Sequence, residues 1–380
     1  MAEAPKKKSE SNNNKLGVRF GLVTLEKSVM EPMGMVVDVN EAAGEAYGNK
    51  RFCSRTVMAA TLVFSVALVL LSWRSSRPRS DGEWALTWDL ESELLAARSD
   101  EVVLGKILDT KTVTDRGVRF DVNLLEKRVW TPSVEDPLAL ENVPADLVVR
   151  KSVFDDFSII LNKFPVFMGH ALLVSTKDVA QNAVIEKYEL DALHRCACAA
   201  KGLAFYNSNR EAGSSQHRRH FQVVPFKTMG NRPGIFDALD LVPKEAWRWS
   251  SKAPFLPVVR RLPAYDSFVH GVVRLPQRTT FDVDFDDSTF DDALHRAYLA
   301  LMQSLDFPAA YNLILTKNWL FAVTRSKASS SQGVSINALA FAGPMVLRDP
   351  SLFETFSSDN DLTPIAILSD VSLPYYYQSS

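Results

Sequence analysis

The run "TVMAATLVFSVALVLLSW", Thr56 to Trp73, divides the chain into two unequal parts. It carries no charge, and about 20 apolar residues suffice to cross the hydrocarbon core of a bilayer. Lys50, Arg51 and Arg55 precede it, and Arg74, Arg77 and Arg79 follow. Trp73 sits where an interfacial aromatic belongs. The run has no polar face, so it reads as a single transmembrane helix over residues 55–74 rather than a buried helix of a soluble domain. It starts too deep in the chain for a simple cleaved signal peptide. Basic residues on both sides leave its orientation open. A targeting leader over residues 1–83, to a plastid, is the alternative to a permanent anchor.

Residues 1–54 are the polar N-terminal region, opening with the low-complexity "MAEAPKKKSESNNNK". Within it, "GVRFGLVTLEKSVMEP" from Gly17 echoes "GVRFDVNLLEKRVWTP" from Gly117 at nine of sixteen positions. No further unit follows, which excludes a solenoid.

Beyond residue 84 the chain is soluble in character. Over the whole chain hydrophobic residues make up 46% and charged residues 23%, enough for a sizeable core. The net charge of −2 gives no global basic field, so nucleic acid is not an expected partner. An anionic ligand therefore needs a local site. The three cysteines, Cys53, Cys196 and Cys198, exclude a disulfide framework. Cys196 and Cys198 lie two apart on a helical pattern, facing different ways, with no second cluster at zinc spacing. No metal ligands are assigned.

"FSIILN" (157–162) and "HALLVS" (170–175) read as strands joined through "KFPVFMG". A helix is expected from Lys187 to about Tyr206. "PKEAWRWSSKAPFLP" is turn-rich, and "FDDALHRAYLALMQSL" has helical periodicity. "YNLILT", "WLFAVTR" and "VSINALAFAG" read as three more strands. The mixture is α+β with mostly antiparallel pairs.

The chemistry concentrates in "GSSQHRRHFQVVP", residues 213–225. As a strand it puts Arg218, His220 and Gln222 on one face and His217, Arg219 and Phe221 on the other. Ahead of it, "AGSS" is a small-residue turn whose N–H groups can approach an anion, with Asn207 six residues before Gly213. A cation, an imidazole and an amide beside such a turn suit nucleotidyl transfer through a histidine. The neutral ring attacks phosphorus, and the other groups steady charge on the phosphoryl oxygens. By spacing alone, a solvated basic strand end fits equally well. His170 reads as a core or strand-edge histidine, His194 and His295 as surface helix residues, and His270 as a strand residue.

The pattern N-x5-GSSQ-x-x-x-H-x-Q resembles the histidine triad superfamily signature. It is most similar to the ATP adenylyltransferase branch, the diadenosine tetraphosphate phosphorylases, in the galactose-1-phosphate uridylyltransferase-like group. The likeness spans about residues 84–380. "IILNKFPVFMGHALLVS" resembles that branch's N-K-F strand and the strand after it, and "YNLILTKNWLFAVTRSKASSSQGVSINALAFAG" its C-terminal block. The resemblance implies a histidine-triad-like antiparallel sheet with flanking helices. It implies a catalytic domain over 84–278, completed by a C-terminal region over 279–380.

It also implies roles. His220 takes the nucleophile position and Gln222 the position that holds the phosphate oxygens. Asn207, Gly213, Ser214, Ser215 and Gln216 fall on phosphate-contacting positions. Asn162 and Lys163 match the N-K pair near the nucleotide. Thr316, Lys317, Asn318 and Lys327 lie in the C-terminal block that closes the site, and Lys127 matches an early basic residue. The implied reaction is phosphorolysis of diadenosine tetraphosphate to ATP and ADP, and its reverse, through a covalent AMP on His220. The partners are then a dinucleoside polyphosphate, phosphate and ATP or ADP. Magnesium enters, if at all, on the substrate's phosphates.

One position departs from the pattern. Arg218 stands where the family has its first triad histidine. Arginine cannot accept a hydrogen bond, but it can neutralise phosphate and favour the neutral form of His220. A non-catalytic nucleotide sensor and a hydrolase using water as acceptor stay open beside the phosphorylase reading. The expected location is a single-pass membrane protein with its catalytic domain in the cytoplasm, or a plastid.

Overall fold

The computed structural model describes residues 88–99, 102, 105–126, 134–247, 257–276, 287–356 and 362–375. The membrane segment 55–74, Lys127 and the first copy of the internal echo lie outside these residues. No described helix is long and apolar enough to cross a membrane.

The strands are β1 (Ile107–Asp115), β2 (Val118–Leu125), β3 (Val148–Val153), β4 (Phe157–Leu161), β5 (Ala171–Ser175) and β6 (Gly202–Asn207). They continue as β7 (His220–Pro225), β8 (Val259–Arg260), β9 (His270–Arg274), β10 (Tyr311–Leu315), β11 (Trp319–Thr324) and β12 (Pro344–Leu347). The α-helices are α1 (Leu90–Ala96), α2 (Lys187–Ala199), α3 (Ile235–Asp240), α4 (Asp287–Ser304), α5 (Ala338–Phe341), α6 (Pro350–Thr355) and α7 (Pro364–Asp370). Nine strands form one sheet in the order β3-β4-β5-β7-β6-β10-β11-β9-β8, every neighbouring pair antiparallel. The second copy of the echo forms β2, the middle of a separate sheet ordered β1-β2-β12.

Alternation along the strands sends side chains to two cores. Tyr206, Phe221, Val223, Leu313 and Leu320 pack under α2 and α4. Leu203, Phe205, Val224, Ile314 and Phe321 face the small sheet and the short helices. Each large apolar side chain so enclosed contributes about 1.5–3 kcal/mol. The fold is therefore α+β on a large antiparallel sheet, as expected. The small sheet was not expected.

The described residues, all of them between 82 and 380, form one compact unit. The boundary expected at 278/279 does not cut the sheet, because β9 pairs with β11 and β6 with β10.

Two elements differ from the sequence reading. The helix expected to reach Tyr206 stops at Ala199, and "GLAFYN" becomes the buried strand β6. Gly202 explains the change: a Cβ there would lie 2.3 Å from the Val224 carbonyl, so only glycine lets β6 close on β7. "VSINALAFAG" is not a strand. Asn337 caps the N–H of Leu339 and starts α5, and β12 follows at Pro344.

Candidate active site

His220 is the first residue of β7, on the face it shares with Gln222 and Val224, and is 5% exposed. Its Nδ1 lies 2.9 Å from the Arg218 carbonyl oxygen. A carbonyl only accepts, so Nδ1 carries the hydrogen and Nε2 keeps its lone pair. Burial pushes the ring's pKa down and the Arg219 charge adds to this, while the bond to Arg218 opposes it. The ring is neutral at pH 7, with an uncommitted Nε2.

Gln181 fixes the backbone of this residue. The His220 N–H donates to Gln181 Oε1 at 2.8 Å, and Gln181 Nε2 donates to the carbonyls of His220 (3.1 Å) and Asn207 (2.8 Å). Gln181 thus bridges β6 and β7 where their own pairing has ended at Phe205 and Gln222. Nothing in its sequence surroundings marks it.

His170 holds Gln222. Its Nε2 lies 2.8 Å from Gln222 Oε1, so the amide oxygen accepts and Nε2 carries the hydrogen. Full burial pushes the His170 pKa down to about 4, against the opposing bond to Gln222. The Gln222 carbonyl is committed, and its NH2 group stays available as a donor on the His220 face. His170 is therefore more than a core histidine. Asn162, at the end of β4, places Nδ2 3.4 Å from both ring nitrogens of His170, across the ring. Its Oδ1 accepts the Phe164 N–H at 2.9 Å. Asn162 and His170 edge a cavity of about 210 Å³ whose apolar walls include Leu94, Val102, Leu161 and Met168. Lys163 follows Asn162, half-buried.

The 207–216 loop lies beside His220. Asn207 is 1% exposed, and its Oδ1 accepts from Asn312 Nδ2 and the Ala338 N–H, both at 2.9 Å. Gly213 has φ +89°, and a Cβ there would meet the Ile336 carbonyl at 2.6 Å. The N–H groups of Ala212, Gly213 and Ser214 are spent inside the loop, on Asn209 and Arg210. The Ser214 hydroxyl donates to the Gln216 carbonyl at 3.2 Å. The N–H groups of Ser215 and Gln216 are not spent in this way, and Asn207, whose Oδ1 is taken, keeps its Nδ2 as a donor, while the Gln216 amide lies 3.5 Å from the Ser215 hydroxyl.

Arg325 is the other residue that sequence reasoning missed. It is 3% exposed, and its N–H groups reach the carbonyls of Val371, Ala212, Lys327 and Ile336 and the Asn312 Oδ1. Among the described residues no carboxylate pairs with it, and burial pushes its pKa down to about 9. The five donors of one guanidinium tie the loop to β10 and to the C-terminal segment.

Several sequence expectations need correcting. The guanidinium of Arg218 does not face a phosphate position. It pairs with Asp136 (Nη2 to Oδ2 2.7 Å, Nε to Oδ2 2.8 Å) and donates to the Lys177 carbonyl at 2.8 Å. The cation that lowers the His220 pKa is Arg219, which is fully buried on the opposite face against Tyr206, Phe221 and Glu189. Arg218 precedes the strand, meeting Ala180 in an isolated bridge. Thr316, Lys317 and Asn318 are not brought to His220. Asn312 is level with Asn207, so Thr316 lies at the other end of β10, about 13 Å along the strand. There Thr316 Oγ1 accepts the N–H groups of Asn318 and Trp319. Lys327 lies near the loop, but its ammonium pairs with Asp370 at 2.7 Å. His194 and His295 are buried, 2% and 6% exposed, rather than on the surface. Among the described residues no cluster of His, Cys, Asp and Glu is arranged to hold a metal ion.

This arrangement sits inside a recognised pair of domains. The Ap4A phosphorylase N-terminal domain matches residues 103–236, and the ATP adenylyltransferase C-terminal domain matches residues 264–374. The chain belongs to the Ap4A phosphorylase / ATP adenylyltransferase family. It is 28% identical over 297 residues to diadenosine 5',5'''-P1,P4-tetraphosphate phosphorylase 2 of Saccharomyces cerevisiae, covering 69% of this chain and 85% of the relative. Protein APA1 of the same yeast is 27% identical over 281 residues, covering 68% and 83%. Among solved structures, yeast Ap4A phosphorylase Apa2 in complex with Ap4A matches with a TM-score of 0.60 at 25% identity, covering 75% of this chain and 96% of that one. The same yeast protein in complex with AMP gives 0.58 at 24% identity, with the same coverage.

Proposed function

We propose that this protein is a nucleotidyltransferase that cleaves diadenosine tetraphosphate with phosphate to give ATP and ADP, and runs the reverse adenylyl transfer. The observation that carries this reading is the bond from His220 Nδ1 to the Arg218 carbonyl, which leaves Nε2 with its lone pair on the face shared with Gln222. Membership of a family whose yeast relative is solved with Ap4A and with AMP supports the substrate class.

In the first step Nε2 attacks the α-phosphorus. An N–P bond forms and the P–O bond to ATP breaks, leaving AMP on the ring. The leaving polyphosphate is weakly basic and takes little help from a general acid. The positive charge gained by the ring is eased through Nδ1–H into the Arg218 carbonyl. The Gln222 NH2 group and the Ser215 and Gln216 donors stabilise the equatorial oxygens. The apolar cavity beside Asn162 and His170 takes the adenosine. In the second step phosphate attacks the same phosphorus, the N–P bond breaks and ADP leaves. Magnesium enters as part of the substrate, on its phosphates.

The test is a product assay with and without added phosphate, on wild type and His220→Ala. Labelled substrate should leave acid-labile AMP on histidine in wild type only, and product release should follow phosphate. Turnover unchanged in His220→Ala sinks the mechanism. Products formed at full rate without phosphate point to hydrolysis, and binding without labelling to a sensor. Attachment to a membrane through residues 55–74, with the catalytic unit in the cytoplasm, is part of the proposal. Fractionation of the mature protein with N-terminal sequencing separates it from a plastid leader.

A further inference from the structure

We infer that Asp136 and Arg218 act together as a positioning pair that selects the reactive tautomer of His220. The inference rests on reading His220 as the nucleophile, and it explains what the arginine at 218 does.

A free imidazole prefers its hydrogen on Nε2, the nitrogen that must attack. The protein must therefore hold the hydrogen on Nδ1, and the acceptor that Nδ1 meets among the described residues is the Arg218 carbonyl at 2.9 Å. That carbonyl lies just ahead of β7, in the isolated bridge of Arg218 to Ala180, and the N–H of its own planar peptide is the Arg219 N–H. The bridge and the neighbouring peptides pin it. The Gln181 N–H donates to the His217 carbonyl at 2.6 Å, the Arg219 N–H to the Val179 carbonyl at 2.7 Å, and the Ser175 N–H to the Arg219 carbonyl at 3.0 Å.

The Arg218 side chain completes the restraint. Its guanidinium sits between the Lys177 carbonyl and the Asp136 carboxylate. Asp136 is itself fixed. Its Oδ1 accepts from the N–H groups of Leu138 (3.3 Å) and Ala139 (3.2 Å), and its carbonyl accepts from Asn142 Nδ2 (2.8 Å). Burial works against the charged carboxyl, but the Arg218 bond and charge and these N–H groups hold its pKa below the usual value. A planar fork meets an acceptor that is already in place. The anchored arginine keeps its own peptide from rotating, so the carbonyl stays on Nδ1. A histidine at 218 would offer neither the charge nor the reach.

The test uses the full chain in wild type, Asp136→Asn, Arg218→Gln, the double variant, Arg218→Lys and His220→Ala. The readouts are the rate of histidine-bound AMP formation, KM for diadenosine tetraphosphate, and the His220 tautomer by nitrogen NMR of histidine-labelled protein. Each single variant should lose roughly ten- to a hundredfold in rate, the cost of a slightly misplaced reacting atom, with KM nearly unchanged. The Nδ1–H signal should weaken in both. The double variant should lose no more than the worse single, because the two act as one unit. Arg218→Lys, which keeps the charge, should recover part of the loss. Wild-type rate and tautomer in Asp136→Asn and Arg218→Gln, with labelling lost in His220→Ala, overturn the pair alone. Labelling that survives in His220→Ala overturns the nucleophile and the pair together.

Discussion

His170 Nε2 donates to Gln222 Oε1 across 2.8 Å, and this single bond decides which end of the glutamine amide is left over on the His220 face. With the oxygen held, the NH2 group is that end, and in the proposed reaction it is the donor to a phosphoryl oxygen. His170→Phe keeps the ring volume and removes the donor. The rate of AMP transfer should fall roughly tenfold, the loss expected for a weakened oxyanion donor, while KM changes little. Steady-state kinetics on the purified variant checks this, and an unchanged kcat counts against it.

Gln181→Leu should destabilise the fold. It strips partners from the His220 N–H and from the carbonyls of His220 and Asn207, all in a buried setting. An unpaired buried polar group costs about 1–3 kcal/mol, so a loss of roughly 2–4 kcal/mol is expected. Urea unfolding measures it.

Arg325→Lys should cost a similar amount, roughly 2–4 kcal/mol. Lysine brings three donors on one atom and cannot span acceptors on Asn312, Ala212, Ile336 and Val371. KM for the nucleotide should rise as the loop loosens. Denaturant midpoints and KM, measured together, test both halves.

Gly213→Ala meets two penalties, a left-handed backbone and a Cβ 2.6 Å from the Ile336 carbonyl. A stability loss of roughly 1–3 kcal/mol is expected, with reduced nucleotide affinity. Thermal unfolding beside a titration with AMP decides it. A fully stable, fully binding variant contradicts the seating of the loop.

Stability should also weaken on mild acidification. Burial pushes His170, His270 and His295 each down to about 4 in the folded protein, against an ordinary value of 6.5. As pH falls below 6.5 the unfolded chain takes up protons that the folded one refuses. The stabilisation is complete above 6.5 and drains away as pH falls towards 4, by at most about 3 kcal/mol per histidine. Urea midpoints between pH 7 and 5, above the main carboxylate range, should show the slope. His270→Phe should flatten it.

The parts of the site that sequence shows are those whose chemistry is local. His220, Gln222, Gly213 and Asn207 lie within one stretch, and the strands around them alternate or run apolar. The parts it hides depend on residues far away in the chain. Arg218 reads as a phosphate-facing cation until Asp136, 82 residues earlier, claims its guanidinium. Arg325, Gln181 and His170 look ordinary because their partners are set by the fold and not by spacing. Thr316 to Asn318 were placed in the site by resemblance, and only the register of β10 against β6 shows which end of the strand they occupy. The helix expected to reach Tyr206 failed for a related reason. Apolar content does not separate a buried strand from a helix, and the close approach that Gly202 allows is a tertiary fact.

The loop ahead of His220 rests on groups made much later in synthesis: Asn312, Arg325, Ile336, Ala338 and, through Arg325, Val371. A ribosome that has passed His220 has therefore not yet built the supports of the loop beside it. A chain halted short of Val371 carries the ring without the full set of contacts that seat residues 207–216, so the arrangement is complete only once the C-terminal segment has been made.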